Sequence, residues 1–371
     1  MRIPIAEPCI GEEELRNVIE AVKSGWISSK GKFIEEFERV FAGYCGVKYG
    51  VTTANGTVAL HLALKALEIK KGDEVIVPTL TFVATANAVK YCNAKPVFVD
   101  SHPEYWCVDP EKIEEKINKN TKAIIPVHLY GHPCDMDWIR DIAEDRGLYV
   151  IEDCAEAHGA EYKGKKVGSF GDIACFSFYG NKIITTGEGG ICITNNEELA
   201  EKMLILRDHG MSKERKYWHE VVGFNYRMTN LQAAIGVAQL KKLDTFVKTK
   251  RQIAKWYSEE LKELEEKGLI KLHPEMNWAK CVYWMYSILV EDKAKFSRDE
   301  LMKMLEKHGI ETRPFFFPMH KLPMYNNNNE KVPIAEELAR KGLNLPSSVN
   351  LTLDNISYIC NTINTILKVF R

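Results

Sequence analysis

The chain has 371 residues, of which 45% are hydrophobic and 27% charged, and its formal net charge is −1. This length exceeds the size at which one core stops growing, so we expect two domains, residues 1–240 and 241–371. The near-zero charge argues against a nucleic-acid surface or a polybasic membrane anchor. No apolar run reaches the ~18 residues of a membrane span, and the first residues lack the apolar core of a signal peptide. We therefore expect a cytoplasmic protein without nucleic-acid or membrane partners.

Short apolar runs alternate with helical patterns between residues 47 and 200. The predicted strands are 49–53, 74–78, 96–100, 122–127, 147–153, 173–178 and 191–194. The predicted helices between them are 56–67, 81–91, 109–117 and 135–146. Because these helices are apolar on more than one side, the order predicts an α/β fold with a mainly parallel sheet sandwiched between helices.

The remainder of the chain has a different pattern. A long helical pattern covers residues 229–264. Beyond it we predict strands near 284–290 and 312–316, helices near 298–308 and 354–369, and a polar loop at 326–329. Residues 1–240 are thus predicted to form the larger domain, and residues 241–371 a smaller α+β domain.

Lys182 is the most informative residue of the sequence. It lies between two short apolar runs, 173–178 and 191–194, that end at Gly or Asn turn signals and are predicted as adjacent strands. Ser177 precedes it by five residues, and glycines follow. A lysine that forms a Schiff base needs such a rigid support, a hydroxyl for an anion, and room for a flat ring. On its own, a lysine in a turn is more often a solvated surface residue.

Asp153 ends a predicted strand, and side chains at the carboxyl ends of parallel strands face the ligand crevice. With Lys182 in the same pattern, we predict that Asp153 pairs with the pyridinium nitrogen of pyridoxal phosphate; the alternative is a helix cap. Two opposite charges ~4 Å apart gain roughly 4 kcal/mol at an effective dielectric near 20, or about three pKa units. A shift of that size keeps the ring nitrogen protonated at neutral pH.

Three further positions complete this constellation. Gly56 and Thr57 stand at a predicted helix start, where free N–H groups and the helix dipole attract anions, although most such helix starts are only caps. Ser177 adds a hydroxyl. Phe82 follows a predicted strand and is either a platform for a ring or a core aromatic.

Two patterns resemble other sites and are set aside. Segment 159–166 has the glycine spacing of a P-loop, but Lys166 occupies the position of the magnesium-binding Ser or Thr. His128, His132 and Cys134 lack a fourth ligand and a helical His pair. We therefore predict no metal site.

The chain resembles the DegT/DnrJ/EryC1/StrS family, the fold-type I pyridoxal-phosphate enzymes that aminate nucleotide-linked keto sugars. The resemblance covers nearly the whole chain. The segments that carry it are 24–31, 56–57, 78–87, 128–132, 152–157, 182, 223–228, 311–314 and 344–347. It implies a fold-type I aminotransferase fold with pyridoxal 5'-phosphate as cofactor.

The resemblance implies roles at matching positions. Lys182 is similar to the lysine that binds the cofactor and moves protons, Asp153 to the partner of the ring nitrogen, and Phe82 to the residue stacked on the ring. The implied phosphate contacts are Gly56, Thr57 and Ser177. Asn225 is similar to an asparagine that reaches the neighbouring subunit's phosphate, which implies a homodimer with shared active sites. Glu156 stands where many relatives carry Gln near the phenolic oxygen, and must be protonated to donate there.

The reaction that the resemblance implies is transfer of an amino group from glutamate to C4 of a nucleotide-linked 4-keto-6-deoxy sugar. GDP-4-keto-6-deoxy-D-mannose is favoured, and UDP- or dTDP-linked sugars stay open. Arg313 is a candidate for the diphosphate because Arg suits bidentate phosphate binding. Lys30 and His320 are weaker candidates. The alternative is a structural salt bridge for Arg313 and surface roles for the other two.

Two rival hypotheses stay open. A related branch, the sugar 3-dehydratases, has His at the position of Lys182, so this lysine favours amination over dehydration. A catalytically silent regulatory paralogue is the other hypothesis. The presence of both Lys182 and Asp153 argues against it.

Overall fold

The computed structural model describes residues 2–326 and 330–369, so part of the predicted loop at 326–329 lies outside the described residues. The α-helices are α1 (Glu12–Ser24), α2 (Lys32–Tyr44), α3 (Gly56–Ala66), α4 (Ala84–Tyr91), α5 (Pro110–Glu114), α6 (Met136–Arg146), α7 (Glu197–Arg207), α8 (Asn230–Glu266), α9 (Arg298–Lys307), α10 (Pro333–Lys341) and α11 (Leu353–Val369). The strands are β1 (Tyr49–Thr53), β2 (Glu74–Pro78), β3 (Lys95–Val99), β4 (Thr121–Ile124), β5 (Tyr149–Asp153), β6 (Glu161–Tyr162), β7 (Lys165–Lys166), β8 (Ile173–Ser177), β9 (Gly190–Thr194), β10 (Ile270–Lys271), β11 (Ala279–Lys280), β12 (Tyr286–Val290), β13 (Arg313–Pro314) and β14 (Gly342–Leu345).

A seven-stranded sheet in the order β1-β9-β8-β5-β4-β2-β3 forms the centre of the large unit. The pairs β2–β3, β2–β4, β4–β5 and β5–β8 are parallel. Strand β9 runs antiparallel to both of its neighbours, β8 and β1. The predicted mainly parallel sheet is confirmed. As a consequence, β1, β2, β5 and β8 all end at the same edge of the sheet.

Both faces of this sheet are covered, which explains the uninterrupted apolar character of its strands. In β8, Ala174 and Phe176 belong to the core formed with α2 and α8, whereas Ile173 and Cys175 belong to the core formed with α3 and α4. The ring of Phe41 in α2 lies 4.9 Å from that of Phe176, measured between centroids, with the planes near perpendicular. Edge-to-face packing of this kind is favourable for aromatic pairs.

A four-stranded antiparallel sheet, β10-β12-β14-β13, forms the second unit. Its core includes residues of α9, α11 and the second half of α8, among them Tyr257 and Leu261. Helix α8 has 37 residues, so at about 1.5 Å per residue it is roughly 55 Å long. The predicted domain boundary at residue 240 falls inside this continuous helix and stays a prediction.

Several elements are shorter than predicted, among them α5 and β4, which end three residues earlier, and one helix begins later. Helix α4 begins at Ala84 rather than near residue 81, because residues 82–83 form a turn closed by a bond from the Thr85 N–H to the Phe82 carbonyl. Phe82 is therefore outside the helix. None of the helices that the structure describes has the length and apolar character needed to cross a bilayer.

Candidate active site

The ends of β1 and β8 meet at one edge of the large sheet. Strand β9 lies between them and is antiparallel to both, so β1 and β8 point the same way. A methyl group built on Gly56, three residues beyond β1, would lie only 2.7 Å from the Ser177 Cβ at the end of β8. The structure therefore brings Gly56 and Ser177 into contact, and only glycine fits there without displacement.

The start of α3 forms an anion cradle at this point. Asn55 is the N-cap, and its side chain accepts a hydrogen bond from the Val58 N–H at 3.0 Å. Within the part of the chain that the structure describes, the N–H groups of Gly56 and Thr57 have no acceptor. Free N–H groups at the positive end of a helix dipole, with the Ser177 hydroxyl beside them, fit a phosphate group.

Asp153 lies buried at the end of β5 with a defined orientation. The Thr85 hydroxyl donates to its Oδ2 at 2.8 Å, and the Ala155 N–H donates to its Oδ1 at 3.2 Å. Burial raises the pKa of Asp153, while these bonds and the charge of Lys182 oppose that rise. A buried carboxylate of this kind is stabilised by a nearby cation, and a protonated pyridine nitrogen supplies one.

Lys182 lies in a short loop between β8 and β9. The loop is tied to itself by a bond from the Lys182 N–H to the Tyr179 carbonyl at 2.9 Å. The Nζ atom of Lys182 lies 3.9 Å from the centroid of the Trp284 ring. The Trp284 Nε1–H donates to the Asn181 carbonyl at 2.8 Å. The amine is therefore positioned by the loop and by an aromatic ring that comes from just before β12 and packs in the core of the large sheet.

Two buried carboxyl groups act on this lysine. Burial lowers the pKa of Lys182, and the charges of Glu156 and Asp153 oppose that change. Glu156 accepts the Tyr130 N–H at 2.7 Å through Oε2. Burial raises the pKa of Glu156 to about 7. Burial thus favours the protonated form of Glu156, which can donate a hydrogen bond as the predicted role beside a phenolic oxygen requires.

Phe82 is exposed over 54% of its surface, and its ring lies 5.9 Å from that of Phe316 in an edge arrangement. The alternative of a core aromatic is therefore wrong, and its role as a ring platform stays a prediction. Two of the glycines after Lys182, Gly189 and Gly190, make room for neighbouring parts of the chain. A Cβ on Gly190 would lie 2.5 Å from the Asn55 carbonyl oxygen. Close packing therefore explains these two glycines without the flat ring that the sequence analysis expected them to admit.

The other predicted contacts lie outside this cluster. Asn225 is exposed, in an isolated bridge to Asp208. Its side chain has no hydrogen bond to the residues described in this one chain, so its amide is available to a second subunit. Lys30 is exposed just before α2. Arg313 is exposed as well and lies 3.8 Å from Glu311, a long and solvent-screened ion pair that leaves the guanidinium available.

His320 is placed differently from the prediction. It is buried, its Nδ1 lies 2.8 Å from the Thr79 hydroxyl, and its Nε2 lies 3.0 Å from Glu336. Both ring nitrogens are engaged, so neither is free for a diphosphate. We do not carry His320 forward as a substrate contact.

Trp284, Thr85 and Tyr130 are site residues that the sequence analysis did not single out. Thr85 and Tyr130 lie in segments that carry the family resemblance, 78–87 and 128–132, so that signal was available. Trp284 had no comparable signal. An aromatic at the start of a predicted strand is usually a core residue.

The two patterns set aside are part of the scaffold. His128 donates from Nε2 to Glu152 at 3.1 Å and accepts the Cys134 N–H at Nδ1 at 3.0 Å. Both ring nitrogens of His132 also have partners. Glu152 accepts three backbone N–H groups, from Gly168, Phe170 and Gly171. Segment 159–166 ends in the β6–β7 hairpin.

Comparison with known proteins agrees with this geometry. The sequence profile of the DegT/DnrJ/EryC1/StrS aminotransferase family matches residues 8–364. GDP-perosamine synthase of Escherichia coli O157:H7 is 51% identical over 98% of this chain and 98% of its own length. Helicobacter pylori PseC, an aminotransferase involved in the biosynthesis of pseudoaminic acid, is 28% identical and superposes with a TM-score of 0.94 over 100% of both chains. The Streptococcus pneumoniae protein Spr1654 in its PLP form superposes with a TM-score of 0.93 at 27% identity, again over 100% of both chains. This chain belongs to the DegT/DnrJ/EryC1/StrS aminotransferase family.

Proposed function

We propose that this protein is a pyridoxal-phosphate-dependent aminotransferase that forms GDP-perosamine. It moves an amino group from glutamate to C4 of GDP-4-keto-6-deoxy-D-mannose, in the cytoplasm. One observation carries the proposal: the charge of buried Lys182 interacts with the buried carboxyls of Asp153 and Glu156, in a chain 51% identical to a GDP-perosamine synthase over nearly its full length.

The residues present fit the cofactor. Gly56, Thr57 and Ser177 would hold its phosphate, Asp153 its ring nitrogen, and Phe82 its ring face. When bound, pyridoxal phosphate supplies an electron sink that stabilises negative charge on the carbon next to the amino group.

Lys182 moves the protons of the reaction. Burial lowers the pKa of its amine, so a larger fraction is neutral and able to accept a proton at neutral pH. In each half of the reaction the amine would move one proton between a substrate carbon and the bound cofactor. The proton would leave the α-carbon of glutamate in the first half and reach C4 of the sugar in the second. Glu156, with its pKa near 7, holds a further proton beside the amine.

The sugar nucleotide is bound from the other side of the site. Arg313 is exposed in β13, and among residues 2–326 and 330–369 its one ion pair is the long contact to Glu311. A guanidinium in that state can form two parallel bonds to a diphosphate. We assign the diphosphate to Arg313, with Lys30 as a second cationic contact.

Asn225 is the basis for proposing a homodimer with shared active sites. Mixing Lys182→Ala chains with Asn225→Ala chains should restore part of the activity, because one of the two sites in each heterodimer then has both residues. A verified heterodimer without activity would contradict the shared site. Mixing either variant with itself is the control.

A substrate panel tests the reaction. GDP-, UDP- and dTDP-linked 4-keto-6-deoxy sugars are incubated with glutamate, and 2-oxoglutarate and amino sugar are measured together. We expect the two products in equal amounts, the highest kcat/KM with the GDP-linked sugar, and no product with Lys182→Ala. Sugar consumption without 2-oxoglutarate would indicate a dehydratase instead. A protein that never takes up added pyridoxal phosphate would overturn both hypotheses.

A further inference from the structure

Trp284 makes an unusual contact with the reactive lysine. It lies two residues before β12, is 6% exposed, and places its ring centroid 3.9 Å from the Nζ of Lys182. Its Nε1–H donates to the carbonyl of Asn181, the residue directly before Lys182. The ring therefore contacts the amine with its face and the loop with its edge.

The backbone of Trp284 is held from two other directions. Lys250, buried in the middle of α8, donates from Nζ to the Trp284 carbonyl at 3.1 Å and to the Ser347 carbonyl at 2.5 Å. The backbone of Gly131 also packs closely against that of Trp284, because a Cβ on Gly131 would lie 2.9 Å from the Trp284 nitrogen. The indole thus has a fixed orientation, which is what a positioning group requires.

An indole face distinguishes the two protonation states of an amine. The ring quadrupole attracts an ammonium cation, and the attraction strengthens when the pair is withdrawn from water. A neutral amine has no charge to attract. The other charged or titratable groups that act on Lys182 are Asp153 and Glu156, which favour the cation, and buried His158. Lys250 lines the same small cavity as Lys182.

We propose that Trp284 is a positioning residue for proton transfer by Lys182. Its indole face holds the amine of Lys182 when the amine is free. It also stabilises the amine in each half of the reaction, while the amine carries the proton that it takes from the donor's α-carbon or delivers to the sugar. The proton-transfer part rests on the proposed function. The contact with the free amine depends neither on the sugar nor on the nucleotide.

The first test measures proton transfer itself. Trp284→Leu removes the ring face, Trp284→Phe keeps a weaker face and loses the N–H, and Trp278→Phe is a packed tryptophan control away from Lys182. With saturating glutamate, we expect Trp284→Leu to slow the first half-reaction about tenfold, with Trp284→Phe in between. The isotope effect with α-deuterated glutamate should increase in the same order, because proton transfer becomes more rate-limiting. The KM for glutamate should change less than about twofold.

The second test uses cofactor-free protein and no substrate. Lys182 is labelled with acetic anhydride over a pH series, and the modified peptide is quantified by mass spectrometry. We expect the pH midpoint of labelling to fall by about one unit in Trp284→Leu, because the ammonium has lost a stabilising partner. Trp278→Phe should keep the wild-type midpoint.

A folded Trp284→Leu protein with the wild-type isotope effect and the wild-type labelling midpoint would overturn the proposal. If Trp284→Leu does not fold, Trp284→Phe decides: a smaller shift in the same direction supports the proposal, and a wild-type midpoint overturns it. A protein inactive on every sugar would contradict the proposed function alone, because labelling requires no turnover.

Discussion

The two sides of the proposed active site are built in different ways. On the large-sheet side, Asp153 and Ser177 are the last residues of β5 and β8, and their backbones are held by neighbouring strands. On the small-unit side, Arg313 projects from a two-residue strand and is exposed. Two of the groups proposed to hold the cofactor are therefore fixed by one sheet, and Lys182 lies in the loop that follows β8. The cation proposed to bind the substrate comes from a short, exposed strand.

The largest effect should come from the most tightly held group. Asp153→Asn removes a charge pair that gains roughly 4 kcal/mol, so kcat should fall about 10³-fold. Steady-state formation of 2-oxoglutarate at saturating glutamate measures this. Thr85→Val keeps the carboxylate and removes only the 2.8 Å bond to it, so its loss should be about tenfold. A loss below tenfold in Asp153→Asn would mean that the large-sheet side does not dominate the chemistry.

The opposite side is tested by Arg313→Ala. We expect the KM for the sugar nucleotide to rise about 10- to 100-fold, because a bidentate charge-assisted contact is lost. The absorbance of bound cofactor should stay unchanged. Arg340→Ala is a matched control, since Arg340 is also exposed and pairs with Asp292 at the surface. If Arg313→Ala lost bound cofactor but kept the wild-type KM for the sugar nucleotide, the proposed role of Arg313 in substrate binding would be wrong.

Gly56→Ala tests the anion cradle. Its new methyl group would collide with Ser177, so the cofactor affinity should fall about tenfold, as expected when a phosphate loses about one good hydrogen bond. Titration of the cofactor-free protein with pyridoxal phosphate, followed by absorbance, gives the Kd. The control is Gly43→Ala in α2, where the new methyl group has open space around it. This variant should bind pyridoxal phosphate with the wild-type Kd. An equal Kd in both variants would contradict the cradle.

The smallest expected effect concerns stability. Burial raises the pKa of Glu156 from an ordinary value of 4.5 to about 7. In that pH interval the native state therefore binds more protons than the unfolded state, and wild-type stability falls as pH rises through it. Glu156→Gln keeps an acceptor for the Tyr130 N–H but cannot ionise. As the pH rises from 5 to 8, the Tm of Glu156→Gln relative to that of the wild type should increase by about 2–4 °C. A difference in Tm that does not change with pH would contradict the shifted pKa.

Features that depend on local sequence could be predicted, whereas contacts between residues far apart in the chain could not. Strands 49–53 and 74–78 coincide with β1 and β2, because short apolar runs between turn residues are a local signal. Lys182 and Asp153 stand next to such signals. The partner of His320, Thr79, is 241 residues away in the chain, and Trp284 reaches Asn181 across 103 residues. No local sequence pattern encodes such contacts. The sequence analysis therefore expected the wrong role for His320 and did not single out Trp284.

Helix α8 has a mechanical consequence for both sides. Its first turns belong to the core of the large sheet and its last turns to the core of the small one, with Lys250 between them. It has no proline and one glycine, Gly236, so it lacks the loop residues at which domains usually pivot. A rigid strut of this kind opposes wide opening of the two units. We therefore expect substrate entry and product release to depend on local movement of loops, and turnover to be more sensitive to substitutions in such loops than in α8.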